Sequence, residues 1–271
     1  MIDAKLKESI KKLQAIKNKA NIDLSKSLEK LFTSYFREVS KNILSGKLLD
    51  TSLDAAGRAK IISELNTYLV NAGYKDFIQS YYERFPQITN EVKNYFEVMK
   101  QTPTLAKATQ EGLTTWIKQT EYNLKKKIDS KLVDPLQNLI IQNQIGAIDR
   151  ETVAKQIAGI EEKLTYKDSL QVVNDYIAQY QRMNQVAFGD ELNLEVYIYV
   201  GPDDNITSEQ CQDILAFDKH GLEGAAYKDE INSDMVKGLK GNPLFDGGHP
   251  NCRHHFLPVT LDYAKSLGFK A

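Results

Sequence analysis

Apolar residues recur at helical spacing through residues 1–190. Leu6, Ile10 and Leu13 fall on one face, with Lys5, Lys7, Lys11 and Lys12 around them, and predict an amphipathic helix. Ile61, Leu65, Tyr68 and Leu69 repeat the pattern, and Leu124, Ile128 and Leu132 lie four apart on one stripe. Pro135 is expected to break that helix or start another, with Asp134 as a cap and Pro135 at the first helical position. Asp149 is placed to cap a helix whose apolar face is Val153, Ile157 and Ile160. Thr165 and Asp168 have capping-box spacing at the head of a long helix through Val172, Val173, Tyr176, Ile177 and Tyr180.

The texture changes near Phe188 to Glu191. Leu192, Leu194, Val196, Ile198 and Val200 alternate with Asn193, Glu195, Tyr197 and Tyr199, a period of two that predicts a strand ended by Gly201 and Pro202. A short helix should follow, with Thr207 as N-cap and Gln210 answering it. A glycine-rich loop region, residues 219–248, precedes a second strand at Arg253 to Val259 and a last helix at Leu261 to Leu267. The fold class expected is mainly α with a small C-terminal α+β module. In chain order this gives a helical region 1–146, a helical lead-in 147–190 and the module 191–271.

Charge supports a boundary near residue 190. Residues 191–271 hold 7 Lys+Arg against 13 Asp+Glu, and residues 1–190 hold 28 against 23, so the two parts differ in sign although the chain carries only -1. A chain so nearly neutral is not a polycation built to coat nucleic acid. Hydrophobic residues at 42% and charged residues at 26% match a globular protein. No apolar run approaches the roughly 20 residues that span a bilayer, and the lysine-rich start has no signal-peptide core, so no membrane partner is expected.

The candidate chemistry is concentrated. Both cysteines, Cys211 and Cys252, and all four histidines lie between Cys211 and His255. His249 and Cys252 have the spacing by which a turn aims two ligands at one metal. Cys211 and His255, or His254 as the alternate, would complete a set for one structural zinc. Two other readings stay open at this stage. Cys211 could pair with Ile206 as a hydrophobic staple while Cys252 is a small buried hydrophobe and the histidines bond loop backbone. Alternatively the two cysteines could form a disulfide, which a reducing cytosol disfavours.

The strings Tyr197-Ile198-Tyr199-Val200-Gly201-Pro202-Asp203-Asp204, then Thr207 and Cys211, then Gly248-His249-Pro250-Asn251-Cys252-Arg253-His254 and Pro258-Val259 carry a resemblance. They resemble the phage minor head protein family, also called the Mu F-like or head morphogenesis family. The motif-bearing match runs from Ala147 onward; residues 1–146 match by helical character alone. Three positions depart from the common pattern: Ser208 stands where many relatives have Arg, Ile214 where many have a second cysteine, and His254 where many have a cysteine. A four-cysteine site is thereby weakened, while a mixed Cys/His site stays open.

The resemblance implies a virion component made in the bacterial host cytoplasm and located in the phage head. The expected partners are the portal protein and capsid or scaffolding proteins, with a role in head morphogenesis and in DNA packaging or ejection. No catalysis is expected. One rival is a metal-dependent nuclease or hydrolase using the His249/Cys252 cluster, with Asp203, Asp204 and Asp246 nearby in sequence; no phosphate loop, nucleophile elbow or HExxH-type helix accompanies those residues. The other is non-specific contact with packaged DNA through the six lysines of the first 20 residues and through Lys125, Lys126, Lys127 and Lys131. Lysine-rich helix faces are more often simply solvated.

Overall fold

The helical periodicity of the sequence becomes ten helices among the described residues, with three short strands near the C-terminus. The computed structural model describes residues 4–45, 48–49, 54–102, 104–164, 166–202, 204–205, 207–231, 235–236, 242–246 and 252–271. The helices are α1 (Ala4–Leu44), α2 (Ala55–Asn71), α3 (Tyr74–Val98), α4 (Lys107–Gln144), α5 (Arg150–Lys163), α6 (Tyr166–Glu191), α7 (Glu209–Leu215), α8 (Lys228–Glu230), α9 (Pro243–Asp246) and α10 (Leu261–Ser266). The strands are β1 (Val196–Val200), β2 (Ala225–Tyr227) and β3 (His255–Val259). A mainly α chain with a small C-terminal α+β module is therefore what the sequence folds into.

The chain forms two compact units, each drawn from separate segments: residues 1–20, 84–116 and 174–271 in one, and residues 21–83 and 117–173 in the other. The units gather segments by packing, whereas the boundaries at 146 and 190 follow chain order.

The second unit is all helical. Leu24, Leu28, Leu31, Tyr35 and Val39 of α1 are each at most 2% exposed, and their spacing of three and four keeps them on one face. Ile61, Leu65 and Leu69 of α2 and Leu124, Ile128 and Leu132 of α4 are buried in the same way. Tyr81 donates to Thr120 at 3.1 Å and Lys125 donates to Asn66 at 3.2 Å, two side-chain bonds that tie α3 and α2 to α4.

Pro135 does not break α4. The helix runs through it, and Leu136 and Ile140 continue the stripe with no exposure. An interior proline costs about 3 kcal/mol. Five buried aliphatic side chains at roughly 1.5–3 kcal/mol each outweigh that. Asp149 caps α5 as its position predicts, accepting from the Thr152 amide at 2.7 Å. The capping box expected at Thr165 lies outside the described residues.

In the first unit the sheet has the order β2-β1-β3 and is antiparallel throughout, with Val200 opposite His255 and Val196 opposite Val259. The first strand is shorter than its alternation suggests. Residues 192–194 instead end α6: Leu194 N–H donates to Gly189 O at 2.9 Å, Asn193 N–H to Asp190 O at 3.0 Å, and Asn193 has φ of 51°. That is a Schellman ending with asparagine in the left-handed position. β2 was hidden in the region expected to be loop. Both faces of the sheet are covered. Tyr197, Tyr199 and Phe256 pack on one side with Cys211 and Cys252, while Val196, Ile198 and Val259 pack on the other with Ala264 and Phe269. Tyr95 donates to Pro258 O at 3.0 Å, and a Cβ at Gly189 would lie 2.9 Å from the Pro258 ring, so α3 and α6 close directly over β3.

Candidate metal centre

The sheet face bearing Tyr199 carries the chemistry. Cys211 is the third residue of α7, whose N-cap is Ser208, not Thr207: the Ser208 hydroxyl accepts from Cys211 N–H at 3.3 Å. Thr207 folds back instead. Its hydroxyl donates to Pro202 O at 2.9 Å and accepts from the Asp204 amide at 3.0 Å, holding the loop after β1. A helix N-cap needs one oxygen, which Ser208 supplies, and the Thr207 hydroxyl bonds the backbone of Pro202 and Asp204 instead.

Cys252 and His254 arrive on the segment leading into β3. The Arg182 side chain, buried on α6, donates to Cys252 O at 2.7 Å, to His254 O at 3.3 Å and to Phe245 O at 3.1 Å. Arg253 between them makes a bidentate pair with Asp204, at 2.9 and 2.6 Å, and so ties this segment to the loop that Thr207 holds. The His254 ring stacks on Tyr199 with centroids 5.3 Å apart and planes at 13°. Gly201 makes room for it, since a Cβ there would lie 2.1 Å from the imidazole.

These constraints bring three ligand atoms together. Cys211 Sγ lies 3.5 Å from Cys252 Sγ, and Cys252 Sγ lies 3.9 Å from His254 Nδ1. All three ligand atoms fall within 4.8 Å of one another, and all three residues are buried. Metal–ligand bonds of about 2.3 Å to sulfur and 2.0–2.1 Å to nitrogen set tetrahedral edges of roughly 3.5–3.8 Å, close to the 3.5 and 3.9 Å seen on the two edges that meet at Cys252. The group can hold a metal ion. Charge also fits, because two thiolates and a neutral imidazole cancel a divalent cation, and a neutral cluster tolerates burial. The Tyr199 hydroxyl sits 3.3 Å from one sulfur and 3.4 Å from the other, placed to donate to them.

Within the group, the environment acts on the Cys211 thiol and the Tyr199 phenol. The Cys211 thiol is pushed well up by its bond with Cys252 and by burial. Burial above all raises the Tyr199 phenol, so it remains a donor. The His254 Nε2 atom is buried without a hydrogen-bond partner among the described residues.

Of the ligands read from the sequence, Cys211 and Cys252 are brought together and the alternate, His254, joins them. His255 does not. One residue further along the strand it faces the other side of the sheet, on the side of Val200, because side chains alternate. There burial first, then the positive charges of Lys17 and Arg182, hold its imidazole well below the usual range and neutral. His249 lies outside the described residues, as do Asp203 and Ile206. His220 serves elsewhere: Nε2 meets Glu230 at 2.8 Å and Nδ1 meets Lys270 O at 3.2 Å.

Sequence reasoning missed Tyr199, Gly201 and Arg182 as parts of the centre. The signal for Tyr199 was an aromatic residue on the nominally polar face of the strand. Gly201 was read as a strand terminator and as part of the resembling string, not as room for a ligand, and a lone arginine in a helix carries no signal. No family model matches the chain, and neither does any curated protein or solved structure.

Proposed function

We propose that this chain is a minor head protein of a tailed bacteriophage, a structural virion component that docks on the portal and inner head and assists head morphogenesis. Its C-terminal module is an anchor closed by one structural zinc on Cys211, Cys252 and His254, and it carries out no reaction of its own. The reading rests on the sequence resemblance from Ala147 onward.

The observation that supports it best is how the motif residues are used. Gly201 admits His254, Pro202 accepts from Thr207, Asp204 grips Arg253, and Cys211 meets Cys252. The residues that carry the resemblance thus bind one another, as parts of a fastener do. A thiol nucleophile would need access and a lowered pKa, whereas Cys211 has no exposure and its thiol is pushed up.

The test is to locate the chain in purified particles. Quantitative mass spectrometry of the head fraction should find it at a few copies per particle. Heads that assemble, package DNA and infect normally without it would overturn the proposal, as would a hydrolytic turnover that needs Cys252 and His254.

A further inference from the structure

We infer that Cys211 and Cys252 form a metal-guarded redox pair: with metal bound the two sulfurs stay reduced, and with metal gone they close an intrachain disulfide. The inference deepens the reading of the same centre and rests on it for the metal-bound state. Three observations carry it. The sulfurs are 3.5 Å apart, so closing to the roughly 2.05 Å of a disulfide needs a shift of about 1.5 Å. They sit on different elements, Cys211 in α7 and Cys252 ahead of β3, so the bond would staple the same two elements that a metal clips. The chain has two cysteines in all, so each has the other as its one intrachain partner.

The chemistry balances with an external small-molecule disulfide as oxidant. One thiolate attacks it, forms a mixed disulfide and releases one small thiolate, which takes up the proton. The second cysteine gives up its proton and attacks the protein sulfur of the mixed disulfide, expelling a second small thiol. The protein loses two hydrogens and two electrons, and the oxidant is reduced to two thiols. Burial makes the first attack depend on transient opening; the second is fast because the partner sulfur is already in place. A metal ion blocks both steps by occupying the thiolates. A chain that assembles in reducing cytosol and then leaves it in a particle would meet both conditions in turn.

The experiment uses the full chain, zinc-loaded or stripped with chelator, exposed to oxidised glutathione. Intact mass and thiol titration after denaturation are the readouts. The stripped chain should become two hydrogens lighter, lose both titratable thiols and carry no glutathione, while the zinc-loaded chain keeps both thiols at least tenfold longer. Cys252→Ser should instead accumulate the glutathione adduct on Cys211. Two retained thiols or a stable adduct on the stripped wild-type chain would overturn the inference. So would equal oxidation rates with and without zinc. Native mass spectrometry before oxidation reads zinc occupancy separately: a chain that takes no zinc but still closes the disulfide ends the zinc assignment and the guarding role, and leaves the pairing standing.

Discussion

A methyl group at Gly201 would lie 2.1 Å from Cδ2 and 2.4 Å from Cγ of His254, so Gly201→Ala must push the imidazole off Tyr199 and away from the sulfurs. We expect zinc affinity to fall roughly 10–100-fold, the range for disturbing the support of a ligand. Competition with a chromophoric chelator measures it, and unchanged affinity would mean that the ring's position does not matter. Lys17 tests the electrostatics around β3. Burial first, then the charges of Arg182 and Arg253, lowers its ammonium to about 8, with the Cys252 sulfur opposing; His255 feels its charge in turn. The unfolded chain holds this proton up to about pH 10.4 and the folded chain releases it near 8, so unfolding takes up a proton between those values. Stability should therefore rise with pH across that window. Lys17→Met should stabilise the protein at pH 7 by at most about 3 kcal/mol, with the gain vanishing above pH 10. Urea titrations at pH 7, 9 and 10 would reveal the trend, and a gain independent of pH would refute the assignment.

Elements were legible in the sequence wherever burial and periodicity agreed. The stripes on α1, α2 and α4 are one-sided, so spacing alone finds them. The strand ends were harder, because Leu192 and Leu194 fit the strand period but serve the helix ending at Asn193. Pro135 misled for a related reason: a local penalty was visible, while the burial that offsets it is tertiary. In the centre, both cysteines and the histidine-rich turn stood out by their clustering. Choosing His254 over His255 required the register of β3, which one residue of slip reverses. The cap of α7 can be tested directly. Ser208→Ala should cost about 1 kcal/mol by removing the N-cap. Thr207→Val should cost about 1–2 kcal/mol by freeing the loop at Pro202 and Asp204. Thermal melts distinguish them further, since only the second should also weaken the Asp204–Arg253 pair and its salt dependence. A neutral Thr207→Val would contradict the fastening role given to that hydroxyl.

For the whole molecule, the centre matters because the sheet around it is small. Three strands of five, three and five residues offer little backbone pairing, and a metal bound only in the folded state adds its binding free energy to stability. Among the described residues no helix is long and apolar enough to cross a membrane. The most direct measurement is thermal unfolding of the full chain, zinc-loaded and chelator-treated, with zinc content read by native mass spectrometry. One zinc per chain and an unfolding step that moves down by several degrees on chelation are predicted, with His254→Ala already in the lowered state and His255→Asn still responding to zinc. A chain that takes up no zinc, or that melts identically in both conditions, would contradict the account of Cys211, Cys252 and His254 as its metal fastener.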